Sequence, residues 1–559
     1  MSHPSGTSGS TRGPTSFPDV LIRILLVITG TFLLGLATCQ IIGWPKTNLP
    51  YTGYTTTRIV TPLSFVIILG ILTLAARRYR NMSKRQSLLL LSLLTLVAII
   101  TEYIVAHALM NTGQTWDAAV IDRIAANYAV HGSMPEDTYY YLAAFGNNTF
   151  LTMLLATSYK LIYGLFGVTS FTGCSQLINS VAIVASTLLV TVTAYRLFGP
   201  RGGVGAFALA YIMMILSPHT GTTYSDTLGA CSVATLLVTA TMAMSTMGRR
   251  RLAWSSLFGL CLVFGYLIKP TSAILTIALA LIIVIQRSKS LLSRPMRRTT
   301  GQVVVAALLG ALIAFSAYQA AWHAMPGFAR YTPEELDRWQ RSPAVWLGEG
   351  SLRGLEPYPT CTSGGWCDPY NSDLANMTTA AERNAYGVAL WKDSLTTSFP
   401  EGYGGFLATK AQRTYSDGTF GIWCEGLLSG IAFHHTSPVD LAIRSFMGPG
   451  GAHTRWLNSV LQACWMATLF LMSAGALLAM RRQSTLSVLW RNTLCAAVLG
   501  LTAYQMLFEC RARYLFLFLP VFILFAVGGA LSLVETPIAC RLLSWCRGLR
   551  HPTSASSAC

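Results

Sequence analysis

Long apolar stretches alternate with short polar loops along almost the whole chain. A helix needs about 20 apolar residues to cross the hydrocarbon core of a bilayer, and most of the stretches approach this length. No small-residue cleavage site follows the first stretch, which indicates a retained span and not a signal peptide. The pattern predicts helices at residues 20–43, 59–76, 87–109, 149–167, 176–196, 203–217, 227–246, 252–268, 271–286, 301–322, 456–480, 486–508 and 513–533.

Basic residues gather in short loops between these stretches. This is the positive-inside pattern, in which Lys and Arg mark cytoplasmic loops. The clusters are Arg77, Arg78, Arg80, Lys84 and Arg85; Arg249 to Arg251; Arg287 to Arg298; and Arg481 with Arg482. They predict that residues 110–148, 217–226, 269–270, 323–455 and 508–514 lie on the extracytoplasmic side.

One stretch must fail to cross, because otherwise two basic clusters would fall on the outer side. The best candidate is 149–167, since Lys160 lies within it. A central Lys costs roughly 2.5–3.5 kcal/mol on insertion scales. We predict that this stretch forms an interfacial or re-entrant helix.

Composition supports a membrane protein and excludes a soluble one. Only 11% of the 559 residues are charged and 52% are hydrophobic, whereas soluble domains carry about 25% charged residues. The net charge is +18, but nucleic-acid binding needs a contiguous basic face and these charges are spread over several loops. We therefore expect membrane lipids, and no nucleic acid, as partners.

Together these features predict an all-α polytopic protein of the cell membrane. It would have roughly 12 transmembrane helices, one interfacial or re-entrant helix and a mixed extracytoplasmic loop domain. The predicted parts are a disordered cytoplasmic tail at 1–19, an N-terminal membrane domain at 20–322 with an outer loop at 110–148, the loop domain at 323–455, C-terminal transmembrane helices at 456–533 and a basic cytoplasmic tail at 534–559.

Most of the 13 cysteines lie in apolar stretches, where they act as small hydrophobic residues. Cys361 and Cys367 differ, because they bracket the short polar loop CTSGGWC. Outside the cytoplasm this pair could form a disulfide. Two unpaired surface thiols are the alternative.

Acidic residues are scarce outside the predicted loop domain, which holds 13 of the chain's 22. A carboxylate near lipid is costly and usually has a partner or a function. Six of the remaining nine fall at or near the predicted outer face. They are Asp117, Asp122, Glu136, Asp137, Asp226 and Glu509.

Carboxylates and cations converge at this predicted face. The segment TWDAAVIDRIA carries Asp117 and Asp122, either of which could take a proton as a general base. Three cations could bind a phosphate, namely Lys269 in YLIKPTS and Arg511 and Arg513 in FECRARY. Simpler roles stay open: Asp117 could cap a helix, Lys269 could snorkel, and the arginines could anchor a helix end.

Other polar side chains complete the candidate site. Those at the outer face are Asn147, Asn148, His219, Tyr224, Asp226 and Glu509, and those in the segment RTYSDGTFGIWCEG of the loop domain are Asp417 and Glu425. We assign them supporting or acceptor-binding roles, because acidic and aromatic groups suit a carbohydrate. The alternative is that they only build turns and pack the loop.

The order of these motifs resembles the GT-C superfamily of glycosyltransferases, and more closely the bacterial relatives of the dolichyl-phosphate-mannose protein mannosyltransferases. The motifs are WD, FGNN, SP…YSD, GYLIKP, DGTF and E-x-R-x-RY, and the resemblance covers residues 87–533. It implies an inverting transfer of a sugar from a polyprenyl-phosphate donor to an extracytoplasmic glycan, lipid or protein, with a catalytic aspartate at Asp117. Some relatives need a divalent metal and others do not, so a metal stays possible and no other cofactor is implied.

Two points stay open. The best-known relatives carry an acidic pair in the first outer loop, whereas this chain has Asp117 and then Asp122 five residues later, so either could be the base. Alternative functions are a secondary transporter or lipid flippase, or a ligase or polymerase of surface glycans. A transporter commonly shows repeats and polar groups at the membrane midplane, but no repeat is evident and the charges gather at one face. One shared outer cavity would favour the enzyme.

Overall fold

The computed structural model describes residues 16–42, 56–78, 82–291, 294–354, 357–361, 363–396, 401–427, 429–478 and 484–536. The regular structure within these ranges is helical, apart from an isolated antiparallel bridge between Asn111 and Phe433. The helices are α1 (Phe17–Ile42), α2 (Val60–Arg78), α3 (Lys84–Leu109), α4 (Trp116–His131), α5 (Tyr141–Ala144), α6 (Thr149–Phe166), α7 (Thr172–Ala210), α8 (Ser225–Ser245), α9 (Gly248–Ile268), α10 (Ala273–Leu291), α11 (Arg294–His323), α12 (Pro333–Trp339), α13 (Pro343–Ser351), α14 (Asp368–Asn376), α15 (Ala380–Thr396), α16 (Glu401–Tyr415), α17 (Ile422–Glu425), α18 (Pro438–Met447), α19 (Thr454–Leu477), α20 (Thr485–Leu507), α21 (Arg513–Phe516) and α22 (Leu519–Val534).

Each predicted apolar stretch is helical. Among the described residues, nine helices are long and apolar enough to cross a membrane. Three shorter apolar segments accompany them, at Val60–Leu72, Pro270–Gln286 and Leu519–Val534. The prediction of an all-α polytopic membrane protein is therefore confirmed.

The central helix is α22, which is apolar on all sides. It packs against α19, α7 and α8, and its residues from Leu519 to Val527 are buried. A helix that is apolar all round is stable only when other elements surround it. Since α21 begins at Arg513 and leads directly into α22, the central helix fixes the position of that arginine.

The stretches predicted at 176–196 and 203–217 both lie in α7, which bends sharply between them. At the bend Gly199 has a φ of 74°, a value that costs glycine little because it lacks a Cβ. Pro200 then starts the second half, where a missing backbone N–H is tolerated. The two predicted segments are thus separate helices joined by a tight bend.

The helices α4 and α6 form a pair, and α4 is the main packing partner of α6. The Tyr159 hydroxyl of α6 donates to Asp122 Oδ1 of α4 at 2.5 Å, and Lys160 Nζ lies 5.7 Å from the centre of the Tyr128 ring. By length and composition α6 could also cross a membrane. Its interfacial or re-entrant position therefore stays a prediction.

The loop domain was predicted as mixed, but its described residues form seven helices, α12 to α18. Local capping signals explain this. Thr332, Ser342 and Ser437 each accept a backbone N–H at a helix start, and each is followed by a proline. A hydroxyl at the cap and a proline in the first turn both favour helix initiation.

The loop domain contacts the membrane helices through the CTSGGWC loop. Cys361 and Cys367 are joined by a disulfide, the first of the two states that the sequence left open. Within the closed loop the Gly364 carbonyl accepts a hydrogen bond from Cys510 N at 2.7 Å. This bond places the loop beside the segment that carries Glu509 and Arg511.

Lys410 of α16 makes the second attachment. Its side chain is fully buried, and Nζ donates to the carbonyls of Gly350, Met506 and Phe508 at 2.6, 2.9 and 2.8 Å. The last two belong to the C-terminal end of α20, where carbonyls lack helical partners and a positive charge is favoured. Lys410 thus joins the loop domain to the end of a membrane helix.

The predicted tails fall mostly outside the described residues. Of the predicted disordered tail at 1–19, residues 1–15 lie outside the described part, and residues 17–19 belong to α1. The apolar residues that follow Phe17 extend the helix toward its N-terminus. Of the predicted tail at 534–559, residues 537–559 lie outside the described part, as do Arg80, Arg481 and Arg482.

Candidate active site

Asp117 lies at the start of α4, where the backbone is unusual. The preceding residue, Trp116, has a φ of 48°, a left-handed conformation that is uncommon for a bulky residue. Such conformations persist only where neighbouring contacts fix them, and they are frequent at functional sites. One such contact comes from Thr115, whose hydroxyl donates to the Gly426 carbonyl beside Glu425.

Two phenols orient the Asp117 carboxylate. Tyr141 donates to Oδ1 at 2.9 Å and Tyr224 donates to Oδ2 at 3.2 Å. Asn148 Nδ2 in turn donates to the Tyr141 hydroxyl at 2.9 Å. Burial, followed by the Asp117 charge, raises the pKa of the Tyr141 hydroxyl well above its usual range, so this phenol stays a donor. These bonds hold the carboxylate in one orientation.

A cluster of six charged side chains lies next to this group. Its first part surrounds Asp226, which pairs with Lys269 through Oδ1 and lies 3.2 Å from Arg513 Nε through Oδ2. The Asp226 side chain is only 3% exposed. A buried carboxylate without partners is costly, and two cations are the partners here.

The second part of the cluster surrounds Arg511. Its Nε donates to Glu509 Oε1 at 2.5 Å, and its NH1 lies 2.8 Å from Glu425 Oε2. The Tyr514 hydroxyl donates to the other Glu509 oxygen at 2.6 Å. Glu425 also lies 3.3 Å from Arg513 Nε, so it connects the two parts. Arg511 is therefore held by two carboxylates.

Arg513 is held differently, by ion pairs alone. Its Nε is near both Asp226 and Glu425, but the N–H points at neither oxygen, and the guanidinium makes no hydrogen bond with any residue in the described ranges. Burial alone would lower the pKa of Arg513, but Glu425 and Asp226 raise it above its usual range. A charged guanidinium with free donors can bind phosphate oxygens through two bonds.

Tyr224 joins the Asp117 group to the charged cluster. Its hydroxyl donates to Asp117, while its ring centre lies 5.0 Å from Arg513 Cζ and 6.0 Å from Lys269 Nζ. Cations at this range interact favourably with an aromatic face. The predicted base and two of the predicted phosphate-binding cations therefore adjoin one tyrosine.

A small cleft lies between these groups, with about 20 Å³ accessible to the centre of a water molecule. Its walls include Thr115, His219, Tyr224, Asp226, Glu425 and Arg513. His219 Nδ1 lies 3.0 Å from Ser217 Oγ, and its ring stacks on Phe516 at 4.1 Å. Burial lowers the pKa of His219 to about 4, so the imidazole is neutral at neutral pH and adds no charge to the cleft.

Asp417 lies within the DGTF turn and not in the cleft wall. Its carboxylate accepts from the backbone N–H groups of Thr419 and Gly421, at 2.7 and 2.8 Å, and from the Thr419 hydroxyl. Burial raises the pKa of Asp417 to about 6. Its observed contacts shape the turn that leads to Glu425, and its predicted acceptor-binding role stays a prediction.

Asp122 and Asn147 lie apart from the cluster. Asp122 faces α6 and accepts from Tyr159, and burial raises its pKa despite that bond. Asn147 is exposed, and its Nδ2 donates to Asn148 Oδ1 at 3.2 Å. Of the two predicted bases, Asp117 is the one that the structure brings beside the cations.

The comparisons with known proteins give a family. The model of the family described as "Conserved hypothetical integral membrane protein" matches residues 18–531. The chain belongs to this family. The prediction of an integral membrane protein is thereby confirmed.

No curated protein matches the chain. It is similar to two solved structures of ArnT from Cupriavidus metallidurans, both with a TM-score of 0.30. The structure bound to undecaprenyl phosphate is 14% identical and covers 78% of this chain and 77% of that chain. The apo structure is 13% identical, with 79% and 77% covered.

Two residues of the site, Tyr141 and Trp366, were not predicted. Tyr141 donates a hydrogen bond to Asp117. The sequence indicated its role only by its position in the YYYLAAFGNN segment. Trp366 lies between two arginines, 5.7 Å from Arg341 Cζ and 6.0 Å from Arg511 Cζ. A tryptophan inside a seven-residue disulfide loop was the available signal, because the closed loop presents it at a fixed place.

A divalent metal was left possible by the sequence. In the described part of the chain, no three His, Cys, Asp or Glu side chains are arranged to hold a metal ion. The cleft carboxylates of Asp226 and Glu425 are instead paired with cations.

Proposed function

We propose that this chain is a glycosyltransferase of the GT-C type that takes a sugar from a polyprenyl-phosphate donor. One observation carries the proposal: Tyr224 contacts both Asp117 and Arg513. A group that can accept a proton and a cation that can receive a phosphate thus adjoin one cleft, as a sugar-phosphate donor requires. The motif resemblance, which includes WD at Asp117 and E-x-R-x-RY at Glu509 to Tyr514, points to the same reaction.

The chemistry follows from the positions of the side chains. Asp117 would accept the proton of an acceptor hydroxyl while that oxygen bonds to the anomeric carbon. The bond between that carbon and the phosphate oxygen breaks, and the polyprenyl phosphate leaves with the electron pair. Arg513 and Lys269 would stabilise the negative charge on the phosphate. Attack from the side opposite the leaving group inverts the anomeric configuration.

The proposed site is on the extracytoplasmic face. The helix α3 begins with the basic residues Lys84 and Arg85 and ends near Asp117, and α9 begins near Arg249 to Arg251 and ends at Lys269. Basic clusters mark the cytoplasmic side, so both helices would lead outward to the site. A polyprenyl donor, whose tail stays in the bilayer, meets protein at this surface.

Side-specific labelling tests the orientation. Ser372 is exposed in the loop domain, so a cysteine at this position should react with an impermeant thiol reagent in intact cells. A cysteine at Arg250 is the matched control and should react only after lysis. Protection of the Ser372 probe in intact cells would contradict the orientation.

The reaction is tested through Asp117→Asn in cells. Turnover should fall at least about 100-fold, the low end of general-base contributions. A polyprenyl-phosphate monosaccharide should then accumulate, and one surface glycan, lipid or protein should lack a sugar. Mass spectrometry measures both changes. Asp122→Asn is the matched control on the same helix and should leave both pools near wild type. An unchanged lipid pool in Asp117→Asn cells would falsify the proposal.

A further inference from the structure

The helix α18 shows an inverted distribution of polar and apolar residues. All ten of its residues are described, and its charged side chains, Asp440 and Arg444, face the protein. Val439, Leu441 and Phe446 are 59%, 56% and 46% exposed. A helix of an aqueous loop normally turns charged residues outward and apolar ones inward. Here the outward face is uncharged: it consists of Pro438, Val439, Leu441, Ala442, Ser445 and Phe446.

Both inward-facing charged side chains have partners within the protein. Asp440 Oδ1 lies 2.9 Å from His107 Nδ1 of α3, and Oδ2 accepts from the Ser437 hydroxyl at 2.6 Å. Arg444 donates from NH2 to the His435 carbonyl at 2.5 Å. The Asp440–His107 contact joins the helix to α3 and holds its charged side against the protein, which leaves the apolar side outward.

The neighbouring surface belongs to helices that are apolar enough to cross a membrane. The helix α18 packs against α3 and lies just before α19, two helices apolar enough to cross the membrane. Tyr103 on α3 is 69% exposed, and Trp456 in the first turn of α19 is 43% exposed. Exposed Tyr and Trp near helix ends are typical of the membrane–water interface. The exposed face of α18 thus continues a lipid-facing surface at interfacial depth.

We infer that α18 is an interfacial helix whose outward face inserts into the headgroup and acyl boundary of the bilayer. Val439, Leu441 and Phe446 supply the inserted side chains, as in amphipathic helices that lie in the membrane plane. The partner of this face is the lipid surface, because the face continues that of α3 and α19. This inference is independent of the proposed sugar transfer.

Insertion would also hold part of the candidate site at the membrane. The segment just before α18 pairs with the outer end of α3 through His434 N to Met110 O and Thr112 N to Ala432 O, at 2.9 and 3.2 Å. The same segment follows Glu425 in the chain. The bilayer would therefore position the loop that closes one side of the cleft.

Photocrosslinking in nanodiscs tests the contact on the full chain. p-Benzoylphenylalanine replaces Phe446 in one variant and Val439 in another, and the discs contain phosphatidylglycerol and phosphatidylcholine. Illumination should produce lipid adducts, which mass spectrometry detects. Their yield should be within about three-fold of the yield from the same probe at Ile100, which is exposed on α3. The probe at Lys392, exposed on α15 of the loop domain, should give a yield at least ten-fold lower.

Two outcomes overturn the inference. The first is a lipid yield at Phe446 and Val439 as low as that at Lys392. The second is efficient crosslinking to a second copy of this chain in discs that hold two copies, which would make the face a dimer contact. p-Benzoylphenylalanine retains the aromatic ring of Phe446, and Val439 provides a second site if one variant fails to fold.

Discussion

Tyr224 donates its hydroxyl to Asp117 Oδ2 at 3.2 Å and presents its ring to Arg513 Cζ at 5.0 Å. The tyrosine therefore separates a carboxylate from a guanidinium that would otherwise attract each other. A direct ion pair would occupy the proposed base and the proposed phosphate-binding cation at once. The phenol instead contacts each of them separately.

The first prediction concerns Tyr224→Phe. The change removes one hydrogen bond to a charged carboxylate, which is worth about 1.5–3 kcal/mol, while the ring stays beside Arg513. We expect turnover to fall about 10- to 100-fold with little change in the thermal midpoint. Tyr331→Phe removes a hydroxyl that binds the Tyr139 carbonyl instead and should retain turnover. Equal effects of the two changes would refute a specific role for Tyr224.

The two arginines should respond differently to substitution by lysine. Arg513→Lys keeps the charge but loses the unused guanidinium donors, so the KM for the donor should rise about ten-fold or more. Arg511→Lys breaks bonds that hold Glu509 and Glu425, so it should mainly lower the thermal midpoint. Donor titrations and thermal melts on purified variants measure both. An unchanged donor KM in Arg513→Lys would assign the phosphate to Lys269 or another cation.

The disulfide should act through Trp366. Reduction of the Cys361–Cys367 bond releases the loop that places Trp366 between Arg341 and Arg511, and we expect turnover to drop several-fold. In a Trp366→Ala background the same reduction should add little, because coupled changes are not additive. Activity measured with and without a phosphine reductant gives the four values of the cycle. Strictly additive losses would show that the disulfide and Trp366 act separately.

Glu349 predicts a pH dependence of stability. Burial, followed by the Glu509 charge, raises its pKa from 4.5 to about 8, so the folded protein keeps a proton that the unfolded chain releases above about pH 4.5. The contribution of this carboxyl to the free energy of unfolding is thus fully present below about pH 4.5. It falls by about 1.4 kcal/mol per pH unit as the pH rises to about 8.

Glu349→Gln should remove this loss. The amide oxygen can still accept from Cys367 N and Asn371 Nδ2, as Glu349 Oε1 does at 3.1 and 2.8 Å. The thermal midpoint of the variant should exceed that of wild type by an amount that grows from pH 6 to pH 8. Glu382→Gln, which alters an exposed carboxylate on α15, is the control. A gap that is constant with pH would contradict the buried neutral carboxyl.

Much of this fold follows from local pattern. Apolar length predicted each membrane helix, because the bilayer imposes a minimum span. The prediction of a mixed loop domain was wrong, because its described residues form helices. The capping signal for these helices was present in the sequence, at Thr332–Pro333, Ser342–Pro343 and Ser437–Pro438. Hydropathy does not record such caps, since a cap is a hydrogen bond between one side chain and one backbone N–H.

The residue types of the candidate site could be predicted from the sequence, but their contacts with one another could not. Scarcity of acids pointed to Asp117 and Asp226, and both lie beside the cleft. The sequence could not separate Asp117 from Asp122, because that choice depends on which side of α4 faces α6. Nor could it place Trp366 against Arg511, since they are far apart in the chain and meet only through tertiary packing.

The charged cluster has a consequence for biogenesis. Asp226, Lys269 and Glu425 are synthesised well before Arg511 and Arg513, which precede the last described helix. During translation Asp226 can pair early with Lys269, whereas Glu425 meets Arg511 and Arg513 only after the segment that leads into α22 has been made. A buried charge that loses its partners is costly, so a nascent chain that stops before residue 511 would leave Glu425 without the two arginines that hold it in the finished cluster.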